Sequence, residues 1–171
     1  MSPHSNSSAS VRAMQSRLER SRQRHRDFPR DQAVLVRLVK LLHRLFNDRA
    51  NELLRSHGLN HPEYNVLIML DGSPEGLTAG ELAEATCEKP ANTTRLVDQL
   101  LAKGLVTRQA CDQDRRKLRV MLSPAGEAMI DTVMPAIAAQ LQGFFAAIPG
   151  ADQAHLEALL LQVVDGVEAG Q

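Results

Sequence analysis

The chain of 171 residues is poor in aromatic side chains and cysteine, and it has no long apolar run. Four Phe, one Tyr and no Trp leave a 43% apolar share that has to build a mostly aliphatic core. Two cysteines exclude a disulfide scaffold and are typical of reduced thiols in a cytoplasmic protein. No apolar stretch approaches the ~20 residues of a membrane span, and none follows the N-terminal MSPHSNSSAS. We therefore expect no membrane partner and no cleaved secretory signal.

Net charge is also absent, but only as a total, because 20 Lys and Arg balance 20 Asp and Glu. Residues 1–30 carry +5, residues 31–57 carry +2 and residues 89–120 carry +5. Residues 58–88 and 121–171 each hold six acids and no Lys or Arg, which gives −6 for each block. Blocks of opposite sign indicate surfaces with separate functions, and a positive one favours a polyanionic partner.

Catalytic signatures are missing as well. The sequence has no Gly-rich phosphate loop, no nucleophile elbow and no convincing pair of acids, and its six histidines are scattered. No His/Cys cluster has the spacing of a metal site. We therefore expect that the protein is not an enzyme and that it uses neither a metal nor a cofactor.

Helical periodicity divides the chain into an arm and one domain. Residues 1–30 are predicted to form a basic, partly disordered arm that is helical in part, and 31–168 suits a single domain. A long apolar stripe predicts a helix over 31–56, ended by Gly58, and a second helix follows over 62–72. At ~1.5 Å per residue the first helix would be about 39 Å long, which is long for a small domain unless another chain covers part of it.

Two more helices are predicted at the C-terminal end. Ser123-Pro124 begins a long helix, and Pro135 inside it predicts a kink. Pro149-Gly150 separates this helix from a last one over 151–168, which carries an apolar face. The residues predicted to form that face are Leu156, Leu159, Leu160 and Val163.

A helix–turn–helix is predicted in the middle of the chain. Thr78 and Glu81 have the spacing of a capping box, which begins a short amphipathic helix. After a turn, Pro90 opens a second helix that Gly104 ends. The inward residues of the first helix are Leu77, Leu82 and Ala85; those of the second are Thr93, Leu96, Val97, Leu100 and Leu101.

The outer face of that second helix suits duplex DNA. A major groove about 12 Å wide admits one helix, whose first turns reach the base edges and whose N–H groups face phosphates. Asn and Arg suit bidentate base reading, Thr suits a phosphate or a thymine methyl, Lys suits a phosphate, and Ala allows close approach. The predicted DNA-facing residues are Lys89, Ala91, Asn92, Thr94, Arg95 and Gln99.

A hairpin with a charged tip follows. Strands are predicted over 105–108 and 118–122, on either side of the tip at 111–117. A charged tip alone is typical of a solvated loop, but after a helix–turn–helix it favours DNA contact. We expect three tip bases to enter a minor groove or bind its phosphates: Arg115, Arg116 and Lys117. Two tip acids are expected to hold a neighbouring arginine and so shape the tip: Asp112 and Asp114.

Three segments carry a family resemblance: LTAGELAEAT, NTTRLVDQLLAKGLV and DQDRRKLRVMLSPAGEA. They resemble the MarR family of bacterial transcription regulators, over roughly residues 31–168. The likeness is most specific from Arg95 through Gly126, where a D-x-D-R-R wing precedes an alternating strand and an S/T-x-x-G helix start. Ser123 stands where Thr is more usual, and the arm lies outside the shared core.

The resemblance implies a mainly α-helical fold with a small β-wing. It places a winged helix–turn–helix lobe over 62–123, flanked by dimerisation helices over 31–57 and 124–168. It further implies a homodimer that binds a palindromic operator in double-stranded DNA, represses transcription and is released by a small aromatic carboxylate or phenolic effector.

By the same resemblance, an effector site lies among the first, second and fifth helices of the domain. An aromatic acid needs a flat apolar slot with a donor or a cation. The candidate residues are Arg37, His43, Phe46, Arg49, His61 and Tyr64. The alternative interpretation is that Tyr64 belongs to the core and that His43 is a surface residue.

Three further questions stay open from the sequence. The scaffold could be a protein–protein interaction module that does not bind DNA, with its acidic surfaces as the contact. The basic arm could be a solvated tail or a strap on DNA. Cys87 and Cys111 sit in the predicted turn and wing, whereas the redox-sensing branch of the family carries its cysteine near the start of the chain. Structural or incidental roles are therefore favoured over redox sensing.

Overall fold

The computed structural model describes residues 9–110 and 118–170, which form helices and one small sheet. The elements in chain order are α1 (Ala9–Arg24), α2 (Arg30–Leu54), a short 3-10 helix (Arg55–His57), α3 (His61–Asp71), β1 (Leu77–Thr78), α4 (Ala79–Thr86), α5 (Pro90–Ala102), β2 (Val106–Ala110), β3 (Leu118–Leu122), α6 (Pro124–Phe145) and α7 (Gly150–Glu168). The predicted mainly α-helical chain with a small β-hairpin is confirmed. Two compact units divide the chain, residues 1–49 and residues 50–171.

The first unit consists of α1 and most of α2. None of the residues of α1 is buried, and the helix covers a large part of the predicted arm; residues 1–8 lie outside the described residues. One side of α2 exposes large apolar side chains to between 42% and 59% of their area: Leu35, Val36, Val39, Leu42 and Leu45.

The core of the second unit is aliphatic, as the scarcity of aromatics predicts. Helices α3 to α6 and the sheet supply most of its buried side chains, and Tyr64 is the one aromatic residue among them. The buried set includes Leu54, Val66, Leu67, Leu70, Leu82, Leu96, Val97, Leu100, Val120, Ile130, Val133 and Ile137. This core fixes the positions of α4 and α5, whose outer surfaces are left to solvent.

The sheet has three antiparallel strands in the order β1-β3-β2. In its hairpin Thr107 pairs with Met121 and Ala110 pairs with Leu118, so the predicted wing strands are confirmed. The third strand, β1, pairs Leu77 with Val120. The prediction that Leu77 forms part of a helix was therefore wrong, because the residue lies in this two-residue strand before α4.

A close contact between the residues before β2 and the first turn of α6 explains the S-x-x-G pattern. The hydroxyl of Ser123 accepts a hydrogen bond from the N–H of Gly126 at 3.0 Å and donates one to the carbonyl of Gly104 at 2.6 Å. A Cβ on Gly126 would collide with the carbonyl oxygen of Leu105. Glycine is required at position 126 because a neighbouring backbone passes directly over the first turn of α6.

The C-terminal helices differ in how they are packed. α6 buries Ile130, Val133 and Ile137 and is continuous through Pro135, where the kink stays a prediction. α7 buries no residue at all. Among the described residues no single helix is long and apolar enough to cross a membrane; α6 and α7 reach that length and composition only together, across a bend of 92°.

Candidate nucleic-acid interface

The turn between α4 and α5 is tight and hydrogen-bonded. Cys87 adopts a left-handed backbone conformation with φ 55°, which is uncommon for a residue other than glycine. Its N–H donates to the carbonyl of Glu84, and the N–H of Glu88 donates to the carbonyl of Ala83 at 2.9 Å. These bonds end α4 and set the direction in which α5 leaves it.

The inner face of α5 is anchored in the core. Thr93, Leu96, Val97 and Leu100 are all buried, and Leu101 is partly buried against the core, which confirms the predicted inward set. In α4 the prediction was only partly right: Leu82 is buried, but Ala85 is exposed. Because α4 has only eight residues, Leu82 and its neighbour Ala83 suffice to fill its inner face.

The predicted DNA-facing side of α5 lies at the surface. Asn92 is half-buried, and the other five residues are exposed: Lys89, Ala91, Thr94, Arg95 and Gln99. The hydroxyl of Thr94 donates to the carbonyl of Pro90 at 3.1 Å, so it rests against its own helix. The structure thus brings this sequence-predicted set together on one face over the first three turns.

The N-terminus of α5 has no side-chain cap. Lys89 occupies the capping position without making a capping hydrogen bond, and the first turn contains no acid. By contrast, Asn60, Thr78 and Ser123 cap α3, α4 and α6 with their side chains. Pro90 has no N–H, and the N–H groups of Asn92 and Thr93 donate to the carbonyl of Lys89. The N–H of Ala91 and the positive end of the helix dipole are therefore available to a phosphate.

A row of hydrogen bonds runs along the exposed side of α5. Asn92 donates to the carboxylate of Glu88 at 2.6 Å and accepts from Arg95 at 2.7 Å. Arg95 also donates to the side-chain carbonyl of Gln99 at 3.1 Å. The row fixes the orientation of the Asn92 amide and the Arg95 guanidinium, two groups that can make bidentate contacts with base edges.

Two residues of this surface were not found from the sequence. Glu88 orients Asn92, and its spacing of four residues was a usable signal. Asp98 on α5 pairs with Arg108 on β2 at 2.7 Å, a contact that depends on how the strand passes the helix. Each of these two carboxylates holds another side chain of the surface in place.

The tip of the wing lies outside the described residues. This applies to the predicted DNA contacts Arg115, Arg116 and Lys117 and to the predicted tip-shaping residues Asp112 and Asp114. What the structure describes is the base of the wing, where the guanidinium of Arg119 donates to the carbonyl of Gly76 at 2.6 Å. This bond joins β3 to the loop before β1.

The candidate effector residues fall in both units. In the first unit Arg37, His43 and Arg49 are exposed and Phe46 is half-buried, all on α2. In the second unit the backbone N–H of His61 donates to the side chain of Asn51 at 2.8 Å, and its ring is half-buried.

The ring of Tyr64 belongs to the buried core cluster. Burial raises the pKa of its phenol, and the negative charge of Asp71 adds to this effect. The ligand role of all six candidates stays a prediction. Among residues 9–110 and 118–170 no group of three His, Cys, Asp or Glu side chains is arranged to hold a metal ion.

Comparison with known proteins gives concordant results. The MarR family model matches residues 57–117. The transcriptional repressor MprA of Escherichia coli (strain K12) is 28% identical over 149 residues, which cover 85% of each chain. The S. aureus MepR–DNA complex superposes with a TM-score of 0.71 at 17% identity, covering 76% of this chain and 94% of that one.

CouR from Rhodococcus jostii RHA1, solved with p-coumaroyl-CoA bound, has a TM-score of 0.69 at 24% identity, with 74% and 88% of the two chains covered. At these identities the two structures show the fold alone. That fold is the winged helix–turn–helix with flanking helices, as the sequence predicted.

Proposed function

This chain belongs to the MarR family of transcription regulators, and from that premise we propose that it represses transcription by binding a palindromic operator as a homodimer. A small aromatic acid or phenol is proposed to release it. The sequence similarity to a transcriptional repressor supports this direction of regulation.

The observation that carries the proposal is the exposed face of α5, which we call the recognition helix. Its uncapped N-terminus and the hydrogen-bonded row of Asn92, Arg95 and Gln99 face solvent together. On binding, Arg95 exchanges its hydrogen bonds within the row for two to a guanine, and Asn92 pairs with an adenine. The ammonium group of Lys89 and the backbone N–H of Ala91 bind the phosphate.

Dimerisation is supported by apolar surface that the single chain leaves uncovered. α7 exposes a continuous set of large aliphatic side chains to between 38% and 62% of their area: Leu156, Leu159, Leu160, Leu161, Val163, Val164 and Val167. A soluble monomer rarely exposes this much contiguous apolar surface. A second copy, related by a two-fold axis, would cover this surface and present two recognition helices to two half-sites.

Oligomeric state tests the dimer directly. We expect wild-type protein to sediment as a dimer and the double variant Leu160→Asp/Val164→Asp to sediment as a monomer, because two charges would be buried at the interface. The matched control is Gln162→Asp, an exposed polar position on the same helix. A monomeric wild-type protein at micromolar concentration would contradict the proposal.

The operator test starts by selecting bound duplexes from a random pool. Arg95→Ala should then lose ~1–3 kcal/mol of binding free energy on the selected site and relax the preference at one base position. The control is Arg55→Ala, another exposed arginine of the second unit, which we expect to bind as wild type does. An equal loss on all sequences would show that Arg95 contacts only phosphate, and the absence of any enriched sequence would refute operator binding.

The wing and the effector are tested on the same selected site. Replacing Arg115 and Arg116 together by Gln should weaken binding and flatten its dependence on salt by about 0.9 in the logarithmic slope for each lost phosphate contact.

The effector is tested by adding benzoate and cinnamate to the preformed complex, and both are expected to release the DNA. Unchanged binding in either experiment would remove the wing or the aromatic effector from the mechanism.

A further inference from the structure

Three arginines of α1 lie together on one exposed face of the helix. Arg17, Arg20 and Arg24 are spaced by three and four residues, so they share one face of the helix, and all three are exposed. Val11, Met14 and Leu18 repeat with the same spacing on another face, where each is half-buried. The helix therefore turns its apolar side inward and presents the three guanidinium groups, here called the arginine ridge, to solvent.

Two carboxylates close to the ridge in the chain, those of Glu19 and Asp31, are paired with other arginines. Glu19 pairs with Arg22 at 2.7 Å and with Arg30 at 3.5 Å, and Asp31 pairs with Arg30 at 2.8 Å. The hydrogen bond from Arg22 lowers the pKa of the Glu19 carboxyl, so this acid is charged at neutral pH.

Within the described part of the chain, none of the three ridge arginines forms an ion pair. Arg20 makes only a neutral hydrogen bond of 3.3 Å to the hydroxyl of Ser16. The ridge thus keeps its charge of three uncompensated, although the whole chain is neutral.

We propose that the arginine ridge binds backbone phosphates of duplex DNA, in addition to the contacts of the recognition helix and the wing. This inference rests on the proposed function, since it assigns a second contact to the same partner. Seven residues of helix separate the outer two arginines by ~10 Å, a length of duplex axis that carries about six phosphate charges on its two strands. Guanidinium groups bind phosphates in bidentate geometry without reading sequence.

The surroundings of α1 favour DNA over an anionic membrane. A helix that lies on a membrane inserts its apolar face among the lipid chains. In α1 that face is already half-buried against the protein, and it carries Val11, Met14 and Leu18 but no aromatic anchor. The exposed side offers charge alone, which suits a stiff polyanion.

The test uses the full chain and a 60-base-pair duplex of arbitrary sequence. The variant Arg17→Gln/Arg20→Gln/Arg24→Gln should lower the slope of log affinity against log salt by about 2.7 for each engaged arm, at 0.9 for each phosphate. The variant with lysine at the same three positions keeps the positive charge. Its slope of log affinity against log salt should stay within about 0.5 of the wild-type value. Circular dichroism checks that both variants retain the helix, since Gln, Lys and Arg have similar helix propensity.

An unchanged salt slope in the glutamine variant would overturn the proposal. If the same variant also lost binding to vesicles of phosphatidylserine and phosphatidylcholine, the ridge would be assigned to a membrane instead. Enrichment of an operator and its dependence on Arg95 are measured separately. An unchanged salt slope in the glutamine variant would therefore not contradict operator binding, and the absence of an enriched sequence would not contradict phosphate binding by the ridge.

Discussion

Lys103, which ends the recognition helix, donates hydrogen bonds to both carboxylate oxygens of Glu63 at 2.6 and 2.7 Å. Glu63 is only 2% exposed, and its carboxylate also accepts from the backbone N–H of Asn60 at 3.0 Å, which completes the capping box of α3. The same ammonium group reaches the carbonyl of Gly58 at 2.7 Å. One buried carboxylate therefore caps α3 and anchors the end of α5.

Removing this lysine should destabilise the fold. Lys103→Met leaves the Glu63 carboxylate buried without its cation, and we expect a loss of about 2 kcal/mol in the free energy of unfolding. This is less than the 3–5 kcal/mol typical of fully buried pairs because the lysine is partly exposed. Urea denaturation measures the loss, and the matched control is Lys89→Met, an exposed lysine at the other end of α5. Equal stability of the two variants would contradict the role of the pair.

The close approach at Gly126 gives a second prediction. Gly126→Ala should cost at least ~2 kcal/mol, because its Cβ meets the carbonyl oxygen of Leu105, a backbone atom that cannot move without disturbing β2. Gly80→Ala, in the first turn of α4, meets nothing within 4 Å and should instead gain up to ~0.5 kcal/mol from helix propensity. Thermal unfolding compares the stability of the two variants. Similar midpoints would show that the backbone around Leu105 moves to accommodate the added Cβ.

The turn of the helix–turn–helix gives a third prediction. The left-handed conformation of Cys87 costs a residue with a Cβ roughly 1 kcal/mol relative to glycine. Cys87→Gly should therefore raise the free energy of unfolding by up to about 1 kcal/mol, whereas Cys87→Ala keeps the Cβ and should change it little. Chemical denaturation distinguishes the two; equal effects would assign the change to loss of the thiol.

The sequence predicted those features of the fold that depend on local periodicity. The inward set of α5 followed from a helical repeat of apolar residues, and the capping box of Thr78 and Glu81 followed from spacing; both are present. The outer face of α5 was found for the same reason, since it is what the inward set leaves exposed.

Features that depend on distant contacts were not predictable in this way. Lys103 and Glu63 are 40 residues apart and have no local pattern in common. The strand β1 has two residues, too few to show an alternation, and it exists because Leu77 pairs with Val120. The reason for glycine at 126 also lies in a remote backbone segment, although the motif itself was visible.

The last prediction concerns the pH dependence of stability at Tyr64. Burial of its phenol, with the charge of Asp71 adding to it, holds the pKa of this group above its ordinary value. The stabilisation linked to it is complete below the unfolded-state pKa of ~10 and is lost as the pH rises through the folded-state pKa. Because Tyr64 is the only tyrosine and the chain has no tryptophan, absorbance at 295 nm reports its ionisation alone. We expect the midpoint to lie higher in native protein than in urea, and the alkaline loss of stability to be smaller in Tyr64→Phe; coincident midpoints would show that the phenol is accessible to solvent.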